Sequence, residues 1–159
     1  MRYIVRQKIF SLGDSFTIKD EANNDAFIVR SQLLSFGRKL RIYGLQGDEL
    51  CFIEQEVFRF LPEYNIYVDG ELTAKVKKKF ALFKNDFDIE SSKGNFYVEG
   101  EFWAHEFNIY SDRQLVGRVS KKFFSFTDTY GVEILNEEDG MLTLALAVVI
   151  DMVCHDNND

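Results

Sequence analysis

The stretch Met141-Leu142-Thr143-Leu144-Ala145-Leu146-Ala147-Val148-Val149-Ile150-Asp151-Met152-Val153 decides the fold of this chain. Before Asp151 its only polar side chain is Thr143. Asn136-Glu137-Glu138-Asp139 ahead of it reads as a helix start, because Asn caps the first free N–H groups and acidic residues complement the positive end of the helix dipole. Thirteen residues are too few for a membrane span, which needs about 20. A surface helix would carry a polar stripe, and this one has none. A helix that is apolar all round must be buried on every side.

The residues around it predict what buries it. An aromatic-x-Ile signal recurs at Phe16-Thr17-Ile18, Tyr64-Asn65-Ile66, Phe87-Asp88-Ile89 and Phe107-Asn108-Ile109, with looser copies at Leu40-Arg41-Ile42 and Tyr130-Gly131-Val132. Each copy continues into a turn signal and a second apolar segment, some ending in Phe-rich steps at 57–60, 80–83 and 123–126. Within the copies side chains alternate as in half-buried strands. Tyr64, Ile66 and Val68 face one way; Leu72, Ala74 and Val76 oppose Thr73, Lys75 and Lys77. Asp69-Gly70 between those runs is a two-residue hairpin connection, whose central positions need positive φ. Ser111-Asp112-Arg113 does the same less distinctively, while Gly94, Gly100, Gly117 and Gly131 read as turns and bulges.

About a dozen short strands at hairpin spacing read as a sandwich or barrel. The helix selects between them. With its capped start and last turn the helix has about seventeen residues, a rod of roughly 25 Å, about the span of a strand of seven or eight residues. Only the inside of a barrel buries such a rod all round, and that barrel needs more than the eight strands whose interior fills with side chains alone. The expectation is one domain over 1–159: a mainly β, twelve-stranded closed antiparallel barrel enclosing a C-terminal hydrophobic helix. Leu142, Leu144, Leu146, Val149, Ile150 and Asp151 belong to that helix.

Composition agrees. The chain has 159 residues with sixteen Phe, seven Tyr and one Pro, a balance suited to pleated surfaces. Cys51 and Cys154 give neither a disulfide framework nor a metal quartet and read as small buried hydrophobes in a reducing compartment. Arg2 to Lys8 alternate charged and apolar residues and lack the form of a signal peptide. The expectation is a soluble, cytoplasmic protein without a transmembrane segment. A net charge of −7 argues against nucleic-acid binding, which depends on phosphate neutralisation.

The strand series, the Phe-rich steps and the terminal Leu144-Ala145-Leu146-Ala147-Val148-Val149-Ile150-Asp151, with the opening Arg2-Tyr3-Ile4-Val5, Lys8-Ile9-Phe10-Ser11-Leu12-Gly13-Asp14 and Phe16-Thr17-Ile18-Lys19-Asp20, resemble the short bacterial members of the LURP-one-related proteins. The resemblance covers essentially the whole chain. It implies the fold of Tubby C-terminal domains and phospholipid scramblases, a twelve-stranded barrel around a hydrophobic helix. Tubby domains bind phosphoinositide head groups, plant LURP-one proteins are linked to defence, and no enzymatic chemistry is common to the group. A Cys-rich palmitoylation segment is missing here.

Lys75, Lys77, Lys78 and Lys79 precede Phe80, and Lys121 and Lys122 precede Phe123, in equivalent places of two repeat copies. Lys77, Lys78, Lys79, Lys121 and Lys122 are the lipid-binding candidates; if their strands are neighbours they form one patch for an anionic head group. Otherwise they are a solvated face that discourages edge pairing. The pairs Glu54/Glu56 and Glu99/Glu101 have no third ligand at recognisable spacing and read as outer-face residues. His105 and His155 have no metal-ligand spacing with either cysteine, and His155 falls in the last helical turn. Asp151, inside an apolar helix, must reach the rim or bond backbone amides or a basic side chain.

The function expected is therefore non-enzymatic, with no cofactor and no metal: a barrel that binds a phospholipid head group, a membrane surface or a protein partner. The alternatives are a structural or regulatory partner protein without a small-molecule site and, third, an enzyme with an end pocket near Asp151.

Overall fold

The computed structural model describes residues 1–9, 15–34, 37–79 and 86–155. Among these residues twelve strands precede one α-helix. The strands are β1 (Arg2–Arg6), β2 (Ser15–Asp20), β3 (Asp25–Leu34), β4 (Gly37–Tyr43), β5 (Glu49–Gln55) and β6 (Glu63–Val68), then β7 (Glu71–Lys79), β8 (Asp86–Ser91), β9 (Phe96–Glu101), β10 (Glu106–Ser111), β11 (Gln114–Ser120) and β12 (Thr129–Ile134). The helix α1 is Gly140–His155, entered through a 3₁₀ turn at Glu137–Asp139 that Asn136 caps by accepting from Glu138 N. It is longer at both ends than the apolar run alone suggests.

All twelve strands form one antiparallel sheet in the order β8-β7-β6-β5-β4-β3-β2-β1-β12-β11-β10-β9. The six repeat copies begin on β2, β4, β6, β8, β10 and β12. Each period of the sequence is thus one pair of successive strands, hydrogen-bonded as a hairpin except at β8 and β9, and the aromatic-x-Ile strands all run in the same direction around the barrel. β1 is laid on β12 from Arg2↔Glu133 to Arg6↔Thr129. The remaining seam lies between β8 and β9. There aromatic packing takes the place of a ladder: Phe102 meets Phe87 and Phe107 edge-on at 5.2 and 5.3 Å. Asp88 and Glu90 on one side and Glu99 and Glu101 on the other stand on the outward faces of the two seam strands, an arrangement that discourages pairing with a foreign strand.

Inside the sheet, Leu142 through Cys154 are all buried. Leu146, Val149 and Ile150 have no exposed surface, and Leu142 and Leu144 almost none. Val148-Val149-Ile150 is a strand-like tripeptide held as helix by its surroundings: each fully buried aliphatic side chain contributes about 1.5–3 kcal/mol, against propensity differences of at most ~0.7 kcal/mol. Gly117 lets α1 approach β11, because a Cβ there would stand 2.5 Å from Thr143 Cγ2. Gly117 and Gly131, expected in turns or bulges, are strand residues packed closely against Thr143 and the Phe123 ring.

The Asp69-Gly70 turn has φ of 51° and 82°, as its hairpin type requires. The alternation beyond it breaks once. Ile66 pairs Ala74 but Tyr67 pairs Leu72, so Thr73 is an extra residue. This bulge turns Leu72 outwards, 46% exposed, where simple alternation placed it with Ala74 and Val76.

Candidate functional site

The direction of α1 gives the barrel two ends. At the helix's amino end lie the connections after β2, β4, β6, β8 and β10; at its carboxyl end lie those after β1, β3, β5, β7, β9 and β11. Lys78, Lys79, Lys121, Lys122, His105, Asp151 and His155 all sit at the carboxyl end.

Just inside that end is a buried polar cluster. Asp151 and His155 are one helical turn apart, so they share a face of α1. His105 comes from the wall, from the 3₁₀ turn Phe102–Ala104 that joins β9 to β10; it adopts a left-handed conformation (φ 54°, ψ 43°) while its N–H donates to Phe102 O. That conformation is uncommon for a residue with a side chain and costs on the order of 1–3 kcal/mol. It delivers the imidazole inwards: His105 Nε2 lies 2.8 Å from Asp151 Oδ1, both side chains being almost completely buried. The other carboxylate oxygen, Oδ2, accepts from the Lys8 backbone N–H at 3.0 Å. His155 Nε2 is 3.9 Å from Asp151 Oδ1, beyond hydrogen-bond range.

Aromatic rings close the cluster. The His105 ring lies between Tyr130 (centroids 4.7 Å apart, planes at 17°) and His155 (4.7 Å, 10°). Trp103, half exposed, meets His155 edge-on at 5.4 Å. His105 Nδ1, the Tyr130 hydroxyl and His155 Nε2 are buried without a hydrogen-bond partner among the described residues. Burial pushes the Tyr130 phenol well above its ordinary range, helped by the Asp151 charge. Burial also holds His155 below the usual imidazole value; Asp151 opposes this, while His105, Lys8 and Lys121 add to it. His105, Asp151 and His155 each offer a ligand atom, all within 4.8 Å of one another.

Above this cluster the rim carries exposed aromatics and lysines, with Glu56, Glu106 and Asp128 among them. Phe58 and Phe60, between β5 and β6, are 89% and 96% exposed, and Trp103 and Phe126 stand half exposed on other connections. Lys78, Lys79, Lys121 and Lys122 lie at the same end, and among the described residues none of these four ammonium groups is in an ion pair. Lys77 is 3.7 Å from Glu63 and 3.5 Å from Glu90. β7 and β11 are not neighbours: β8, β9 and β10 stand between them. The lysine pairs therefore share an end of the barrel and not a strand face. The Phe-rich step at 80–83, which follows Lys79, falls outside the described residues.

β1 and β2 pair only at Tyr3↔Asp20 and Ile4↔Lys19. Towards the carboxyl end they diverge and leave a groove of about 620 Å³ lined by Arg6, Ser15, Phe16, Lys19 and Phe126 among others. Cys51 and Cys154 are buried and in no disulfide, and burial raises the Cys51 thiol to about 12. No helix among the described residues is long and apolar enough to cross a membrane.

Sequence spacing did not unite His105 with His155. They are fifty residues apart and meet because the β9–β10 connection and the end of α1 lie at one end of the barrel. The available signals were Asp151 in an apolar run and the scarcity of histidine.

A twelve-stranded antiparallel barrel with a hydrophobic helix threaded through it is the Tubby-like class of fold. The sequence profile of LURP-one-related proteins matches residues 1–151, and the chain belongs to the LURP-one-related family. An uncharacterized protein of Bacillus subtilis (strain 168), YxjI, is 34% identical over 155 residues, covering 98% of this chain and 94% of that one. The X-ray structure of a protein from Arabidopsis thaliana superposes with a TM-score of 0.63 at 17% identity, covering 99% of this chain and 92% of that one, which shows the shared fold.

Proposed function

We propose that this protein is a non-enzymatic barrel that docks on anionic phospholipid surfaces through the rim at the carboxyl end of α1. The observation that carries the reading is the coincidence there of exposed Phe58, Phe60, Trp103 and Phe126 with Lys78, Lys79, Lys121 and Lys122. Aromatic side chains enter the head-group region of a bilayer, and each lysine near an anionic surface contributes about 1 kcal/mol. The groove between β1 and β2 combines Arg6 and Lys19, the latter paired with Asp25, with Phe16 and Phe126, a lining suited to an anionic head group with an apolar attachment. The family's likeness to Tubby domains supports the same ligand class. The apolar helix has no part in it, being enclosed by the wall.

Co-sedimentation with phosphatidylserine-containing vesicles tests this. Binding is expected at low salt, with weakening at high salt as screening grows, and none to neutral vesicles. Changing Lys78, Lys79, Lys121 and Lys122 together to Glu removes it. Equal binding by that variant would sink the proposal.

A further inference from the structure

We propose that His105, Asp151 and His155 form a binding site for one divalent transition-metal ion of the zinc class, the fourth position being taken by water. This goes beyond membrane docking and does not depend on it.

Three independent features of the chain converge on the site. Asp151 and His155 are an i, i+4 pair on one helix, the spacing that directs two ligands to one point. His105 is brought to the same point from the opposite wall by a left-handed residue, an uncommon conformation in a buried, side-chain-bearing position. The carboxylate is already oriented, because Oδ2 is held by the Lys8 N–H and Oδ1 is the atom nearest both imidazoles. Holding a ligating carboxylate by its second oxygen is what outer-shell partners do at metal sites.

The donor set also selects the ion. Two imidazoles and one carboxylate suit zinc and its neighbours; calcium and magnesium take oxygen ligands. Tetrahedral coordination at Zn–N and Zn–O distances of about 2.0–2.2 Å puts ligand atoms roughly 3.3 Å apart. His105 and Asp151 at 2.8 Å and Asp151 and His155 at 3.9 Å bracket that spacing.

One movement is required. The two imidazoles are stacked nearly parallel, so their lone pairs do not converge. His155 must turn: it is the more exposed ring, it is at the last residue of α1, and its Nε2 has no hydrogen bond with a described residue. The ion takes the place of the proton between His105 Nε2 and Asp151 Oδ1, and that imidazole proton moves to Nδ1. Turning His155 breaks its contact with Trp103, the single tryptophan of the chain, which makes the site self-reporting.

The experiment uses the full chain stripped with chelator and titrated with Zn²⁺ and with Co²⁺. Expected are a change in Trp103 emission saturating at one equivalent per chain, and visible Co²⁺ bands of tetrahedral intensity. His155→Ala weakens binding at least a hundredfold with unchanged circular dichroism, and His155→Cys, which restores a ligand, recovers most of it. If His155→Ala proves unstable, His155→Gln serves the same purpose on an isosteric scaffold. No saturable binding by the native chain, or equal affinity in native, His155→Ala and His155→Gln proteins, overturns the proposal.

Discussion

The two ends of the barrel are built from the same hairpins and have opposite surfaces. The end at the start of α1 is made of tight turns, and its charges are mostly acidic: Asp20, Glu21, Asp48, Asp69, Glu71, Asp112 and the Glu137–Asp139 turn. Several of these carboxylates serve the backbone. Asp20 Oδ1 accepts from Ala22 and Asn24 N–H, and Asp112 Oδ1 accepts from Asn95 N–H. Asp69 and Asp112 themselves hold positive φ, a conformation Asp and Asn tolerate well. At the other end the connections after β5, β9 and β11 present Phe, Trp and Lys to solvent. Acidity at the first end follows from turn chemistry; exposed aromatics at the second satisfy no local rule. The difference teaches that a net charge of −7 says little about where the lysines gather.

The largest expected effect tests what the two ends share, the helix between them. Leu146→Ala, at a site with no exposed surface, removes about 2–5 kcal/mol, read from urea melts. Next is the buried cluster. Asp151→Ala leaves the Lys8 N–H and the His105 ring without their acceptor, at about 1–3 kcal/mol for each group left unsatisfied; unchanged stability would mean the carboxylate holds nothing in place.

The comparison of surfaces comes third. Phe58→Ser with Phe60→Ser leaves the melting curve unchanged, because both rings are exposed, but lowers vesicle affinity several-fold. Glu21→Gln with Glu71→Gln, at the opposite end, leaves affinity unchanged or slightly higher. Equal losses from the two pairs would erase the distinction between the ends.

A smaller effect is pH dependence. His155 in the folded chain sits below its unfolded value near 6.5, so the unfolded state binds more protons in the interval between the two. Stability therefore rises with pH through that interval and is lost as pH falls below about 6.5. His155→Gln flattens this part of the stability profile, measured by thermal melts from pH 7 to 5. Least dramatic is the thiol: with Cys51 raised to about 12, it resists iodoacetamide at pH 8 until the chain is unfolded.

Much of the fold was legible because it rests on periodicities. The all-round apolarity of Met141–Val153 demanded enclosure, and the aromatic-x-Ile period marked every second strand of the wall. The bulge at Thr73 was not legible, since one extra residue leaves no compositional trace. The seam between β8 and β9 was hidden for a different reason: its aromatics look like any other strand aromatics until Phe87, Phe102 and Phe107 are seen to meet. Of the sites, the lysines were visible as runs, but their separation by three strands is a property of sheet order. His105 and His155 carried no spacing signal because the barrel, not the chain, sets their distance.

The helix follows, in chain order, all the strands that wrap it. During synthesis the wall emerges before its core, and β1 waits for β12, about 130 positions later, before it gains its second neighbour. A partly made barrel exposes the inward faces of its hairpins with nothing yet to fill them. Final consolidation is therefore a late, nonlocal event, of the kind that makes folding slow and leaves nascent chains open to aggregation. A ribosome-stalled chain ending at Ile134 should depend on chaperones far more than one carrying α1 outside the exit tunnel.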